Sequence, residues 1–207
     1  MQRLILAAVL SVVSLSAHAD EQVRSVTPFK GIAVHGPVSL TVEVGKSYSL
    51  KVYGDPRFID RVTSEVVNGE LRLGMKEGKR NIIDNDDHVV VTLPELQTFT
   101  GEGAGLMRLN KVRGERLDVN YRGAGRLVID GQVRELRLRA QGVGEIDTRA
   151  LVAQEADVSF EGIGSVNIHA KDKLNANVKG MGNLTYHGNP RVVNKSVSGI
   201  GSVVAAK

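Results

Sequence analysis

The chain contains no cysteine and no tryptophan, and its 207 residues include only four Phe, four Tyr and five Pro. The missing cysteine excludes a disulfide framework, a lipid-anchored cysteine and a Cys-ligated metal. So few aromatic rings argue against the stacking platforms that grip sugars or single-stranded nucleic acid. Beyond the first nineteen residues no apolar run approaches the ~18 residues of a membrane helix. Charge of one sign is also lacking: 27 Lys and Arg face 23 Asp and Glu, for a formal net charge of +4. A near-balanced, interspersed charge suits solubility and speaks against a nucleic-acid partner.

What is present begins with the first nineteen residues. Arg3 is followed by an apolar stretch from Leu4 to Ser16 and by Ala17-His18-Ala19. This is the order of a secretory leader with a small-x-small cleavage site, and cleavage is expected before Asp20. Loss of Arg3 with the leader lowers the net charge by one, to +3. An exported protein, periplasmic or secreted, follows.

Glycine is abundant, with 23 residues, and twelve of them form six Gly-x-Gly triplets. These are Gly103-Ala104-Gly105, Gly123-Ala124-Gly125, Gly142-Val143-Gly144, Gly162-Ile163-Gly164, Gly180-Met181-Gly182 and Gly199-Ile200-Gly201. The steps between them are 20, 19, 20, 18 and 19 residues. A constant period of this length marks stacked structural repeats. On both sides of each triplet apolar and polar residues alternate, as in Leu117/Val119/Tyr121 before the second triplet and Leu127/Ile129 after it. Period-two alternation predicts strands with one buried face. Each rung therefore reads as strand, Gly-x-Gly corner, strand and short return, with the twelve glycines as structural turn residues. The middle residue of each triplet is always apolar and is expected to point into the core.

Such rungs stack only on their neighbours. The expected fold is all-β: a right-handed parallel β-helix of about six Gly-x-Gly rungs over residues 97–207, preceded by an irregular strand-rich segment over residues 20–96. In that segment Phe29–Val34, Val38–Val44, Ser47–Val52 and His88–Leu93 alternate as strands. Asp55-Pro56 reads as a helix cap followed by the first helical position. Asn68-Gly69 reads as a type I′ hairpin turn.

Taken together, the export signal, the Gly69–Leu73 hairpin strand (Gly-Glu-Leu-Arg-Leu), the Leu93–Leu96 turn (Leu-Pro-Glu-Leu) and the serial triplets resemble the bacterial autotransporter-adhesin "head GIN domain" family. The resemblance runs from Phe29 to the C-terminus. It implies a single compact β-helical domain over residues 29–207, a binding or structural role in the cell envelope, and no catalytic residue. The competing class is a β-helix that binds or degrades polysaccharide.

Candidate sites are few. Asp84, Asp86 and Asp87 form an acidic loop with Asn85 and His88. Alternating carboxylates suit calcium, but the twelve-residue calcium loop pattern is missing, and a solvated loop is the simpler reading. Outward positions one residue before the triplets (Glu102, Arg122, Gln141, Glu161) and five before (Asp118, Arg137, Asp157) alternate in sign. Stacked strands would pair them up the ladder. Nine arginines between Arg108 and Arg149 are interleaved with seven acids between Glu102 and Asp147. They read as a solvated face, with an anionic envelope polymer as the alternative. His169 and His187 occupy equivalent rung positions and are expected to stack, without the third ligand a zinc site needs. No cofactor is called for and the partner is undefined. An uncapped last rung predicts either end-to-end pairing of two copies or coverage by the N-terminal segment.

Overall fold

The computed structural model describes residues 20–76 and 86–206. The expected leader, residues 1–19, therefore lies outside the described residues. The fold is all-β with one short helix, built around an open, mixed sheet. In chain order come β1 (Asp20–Arg24), β2 (Gly31–His35), β3 (Leu40–Val44), β4 (Ser49–Gly54), α1 (Pro56–Arg61), β5 (Val62–Val67), β6 (Glu70–Met75), β7 (His88–Leu93), β8 (Thr98–His187), β9 (Val192–Gly199) and β10 (Ser202–Ala205).

The run labelled β8 carries strand structure without a break for 90 residues. A straight strand of that length would span about 300 Å at ~3.3 Å per residue. It instead folds back on itself in steps of one repeat. A Cβ placed on Gly123 would lie 1.8 Å from the Gly103 carbonyl oxygen, and one on Gly142 would lie 2.0 Å from that of Gly123. Each triplet thus sits directly on its predecessor. The last repeat continues the stack: Lys173–Gly180 pair in parallel with Val192–Gly199, and Asn183–Tyr186 with Ser202–Ala205.

Alternation explains the core. Leu117, Val119, Leu127, Ile129, Leu136 and Leu138 are all buried, while polar neighbours such as Asp118 and Arg137 face outward. The buried residues form one contiguous cluster from Phe29 to Val203. At roughly 1.5–3 kcal/mol for each large apolar side chain withdrawn from water, this cluster dominates the folding energy.

At the N-terminal side the pairing is mixed. β2 and β3 lie parallel to the start of β8, with Gly31–His35 beside Thr98–Glu102 and Leu40–Glu43 beside Met107–Asn110. The segment Gly36-Pro37-Val38 lies directly against the first triplet, since a Cβ on Gly103 would strike the Gly36 carbonyl. The repeat therefore extends back into residues 31–44, at a spacing of 67 rather than about 20 residues. Residues 49–93 are the insertion that hides the register. Their described strands form the antiparallel pairs β4–β7 and β5–β6, and β4 also takes β1 as an antiparallel neighbour.

Local signals in this insertion hold. Asp55 caps α1 by accepting a 2.7 Å hydrogen bond from the Phe58 amide, with Pro56 opening the helix. Asn68 and Gly69 both have positive φ, 52° and 76°, joining β5 to β6 as a type I′ turn demands. β1 was not foreseen. It is an exposed edge strand whose Arg24 anchors it by donating to the Ile59 and Val62 carbonyls at 2.8 and 2.7 Å.

One expectation is overturned. The middle residues of the triplets do not enter the core: Ala104 and Ala124 are exposed, as are Val143, Ile163, Met181 and Ile200. The alternation runs through each triplet without changing phase, so the glycines fall on the inward phase and the middle residue on the outward one. A second expectation also fails. β1 pairs with β4, and β2 and β3 pair with the start of β8, whereas β9 and β10 pair with its end, so the N-terminal segment does not cover the last repeat.

Candidate binding faces

The glycines of the triplets make the faces possible. Ten of the twelve have positive φ, between 102° and 155°; Gly182 and Gly201 do not. Gly103, Gly123, Gly125, Gly142, Gly144, Gly162, Gly164, Gly180, Gly199 and Gly201 all approach the backbone of the preceding turn too closely for a side chain, Gly105 is looser with 3.3 Å to the Val38 carbonyl oxygen, and Gly182 makes room for the Phe160 ring. Backbones at this distance place equivalent outward residues of successive repeats next to one another.

The charged face is largely neutralised by such neighbours. Arg122 bridges the turns on either side of it, reaching Glu102 at 3.6 Å and Gln141 at 3.1 Å. Arg134 pairs with Glu115 one repeat below at 2.9 Å. Asn194 donates to Asn175 at 2.9 Å, as the five-before position requires. The expected Asp118–Arg137 rung is different. Asp118 is held by Arg116 two residues away at 2.7 Å, and Arg137 by Glu135 at 3.0 Å. Residues two apart on a strand share a face, and this pairing takes precedence over the stacked one here.

Asp147 is the most enclosed member of this set, with its side chain 10% exposed. Arg149 binds it with two guanidinium hydrogen bonds of 2.9 and 2.6 Å, and Arg126 stands 3.7 Å away. The Arg149 hydrogen bonds hold the Asp147 carboxyl below the ordinary aspartate range, against the opposing effect of burial. Glu43 is lowered similarly, first by the Asn110 amide at 2.7 Å and then by Lys46 and Lys111. Glu21 and Glu95 are lowered chiefly by hydrogen bonds from Lys51 and Lys30.

The acidic loop resolves differently from a cation site. Asp84 lies outside the described residues. Asp86 is exposed, and its carbonyl meets His88 Nδ1 at 2.7 Å. Asp87 is buried, occupies the space left by the missing side chain of Gly54, and accepts from the Asp55 amide at 3.2 Å. It therefore braces the start of α1. Among the described residues no three His, Asp or Glu side chains converge as metal ligands do. His169 and His187 are neighbours, with ring centroids 6.5 Å apart and tilted by 39°.

An open depression of about 740 Å³ lies at the return turns and is lined by Lys111, Arg113, Glu115, Asp130 and Arg134 among others. It is shallow and mixed in charge. Beside these faces stands the row of outward triplet residues, which sequence reasoning had assigned to the core. Their signal was available, in the unbroken parity of the alternation.

The molecule is thus all-β around an open, mixed sheet, and among the described residues many of the outer charges back to Glu102 are paired with one another. Residues 28–190 match the family described as "Putative auto-transporter adhesin, head GIN domain". The chain belongs to this family. A solved structure from Bacteroides fragilis described as a putative adhesin superposes with a TM-score of 0.74, at 20% identity over 92% of this chain and 98% of that one. A second, from Parabacteroides merdae and also described as a putative adhesin, gives a TM-score of 0.54 at 18% identity, over 92% and 97% of the two chains. At these identities the likeness is one of fold. No curated protein matches the sequence in the same comparison. No helix among the described residues is long and apolar enough to cross a membrane.

Proposed function

We propose that the protein is a non-catalytic, exported module of the cell envelope, of the binding or adhesion type. Its scaffold is a right-handed parallel β-helix with the twelve triplet glycines at its corners. Residues 1–19 act as a cleaved leader and residues 29–207 form one compact domain. The parallel pairing of the last repeat and the glycine-on-glycine stacking support the scaffold. Family membership supports the role.

One observation carries the non-catalytic reading. Among the described residues, every carboxylate with a displaced titration (Glu21, Glu43, Glu95 and Asp147) is displaced downward by hydrogen-bonding partners. Glycoside hydrolysis needs one carboxylic acid raised enough to donate a proton. These groups are tuned the opposite way, as structural ion pairs.

The test is expression in a two-membrane bacterium. The purified protein should come from the periplasm or medium with Asp20 as its first residue. It should bind isolated envelopes saturably and release no new sugar ends from neutral or acidic polysaccharides. Retention in the cytoplasm, or polysaccharide cleavage by pure protein, would overturn the proposal.

A further inference from the structure

The described residues expose eight large apolar side chains: Val23, Val143, Ile163, Met181, Val192, Val197, Ile200 and Val204. Scattered singly, such residues are ordinary on a soluble surface. Here they are not scattered. Four of them are the middle residues of consecutive triplets, and the triplets are stacked backbone on backbone. A Cβ on Gly162 would lie 1.9 Å from the Gly142 carbonyl, and one on Gly199 would lie 2.4 Å from that of Gly180. Gly180 and Gly199 are paired in register, and so are Asn183 and Ser202, which sets Ile200 over Met181. The four side chains form one row with a step of about 4.8 Å. Their exposures are 54% for Val143, 46% for Ile163, 52% for Met181 and 80% for Ile200. Val192, Val197 and Val204 are also exposed on the last repeat.

Charge changes along the same direction. Residues 86–161 carry ten basic and thirteen acidic side chains, and residues 162–206 carry five basic and one acidic. The five are Lys171, Lys173, Lys179, Arg191 and Lys195. The arginines further back are largely paired, whereas none of these five forms an ion pair among the described residues. Lys179 is exposed on the strand that leads into Met181. Lys195 is exposed and stands in register with Ala176, with its ammonium group 3.4 Å from the Val203 carbonyl.

We infer that the apolar row, together with the basic last repeats, docks on an anionic phospholipid surface. The row supplies side chains that enter the interface, and the unpaired lysines meet the headgroup phosphates. This names a partner for the envelope role above and rests on that reading for its compartment. An acidic polysaccharide would engage the cations but leave the apolar row in water. A second copy joined end to end would bring two cationic ends together. Joined head to tail, it would meet residues 20–76, where eight basic side chains balance seven acidic ones.

The experiment floats the purified full-chain product with phosphatidylcholine vesicles, with or without about 30% phosphatidylglycerol. Binding is expected to the anionic vesicles alone and should weaken as salt rises from about 0.1 to 0.5 M. The Met181→Ser/Ile200→Ser double variant should bind about tenfold less, and Lys179→Glu several-fold less. These positions are outward, so thermal melts should match the parent and separate lost docking from lost folding. The inference is overturned if the parent does not float with anionic vesicles, or if the variants float equally well. It is also overturned if sedimentation shows a dimer that Ile200→Ser dissolves without any vesicle binding. Failure here with envelope binding intact removes the lipid assignment alone. Cytoplasmic retention would remove the envelope role instead.

Discussion

At the scale of single residues, Gly142 shows why the repeat needs glycine. Its φ is 128°, and an added Cβ would fall 2.0 Å from the Gly123 carbonyl oxygen. Gly114 has a φ of 155° but no atom within 4 Å of the same added group. Gly114→Ala therefore adds backbone strain only, about 1–2 kcal/mol, while Gly142→Ala adds a backbone collision and should cost about 3 kcal/mol or more. Paired denaturant melts measure the difference; equal losses would sink the stacking argument. Asp147 gives a pH-dependent counterpart. Its carboxyl titrates below the ordinary value when folded, so the unfolded chain binds more protons between the two values. Its contribution is fully present above about pH 4 and is lost as pH falls through the folded value. Asp147→Asn should cost about 1–3 kcal/mol at neutral pH, and melts of the two proteins should converge as pH falls through the folded value.

At the scale of elements, the legible features were those whose chemistry is local. The cap of α1 is one, because a carboxylate three residues before an amide closes the helix start regardless of what packs around it. Asp55→Ala should lower stability by about 1 kcal/mol, read from the thermal midpoint. The Asn68-Gly69 turn is another, since both residues adopt positive φ at little cost. Two features were misread at this scale. The outward phase of Val143 and Ile163 was masked by the assumption that apolar means buried, although buried Leu138, Ala140 and Ile146 around Val143, and Val158, Phe160 and Val166 around Ile163, carry the alternation through unchanged. The Asp118–Arg137 ladder yielded to pairs two residues apart, because side-chain reach along a strand competes with reach between strands.

At the scale of the whole molecule, one core cluster runs from Phe29 to Val203 across the expected boundary at residue 97. Strands β2 and β3 contribute to it and pair directly with β8. Unfolding should therefore be a single transition, with calorimetric and van't Hoff enthalpies agreeing within about 10–15%. Two resolved heat-absorption peaks would instead divide the chain near residue 97. What the sequence alone determined was the repeat, its period, the inward and outward alternation and the local caps and turns, because spacing and backbone propensity are written residue by residue. Only the tertiary structure decided that residues 31–44 join the stack across a 67-residue gap, that Asp87 braces α1, and that the outward triplet side chains come together as one continuous row. Each of these depends on which distant backbones come within a few ångströms of each other, and no local pattern encodes that distance.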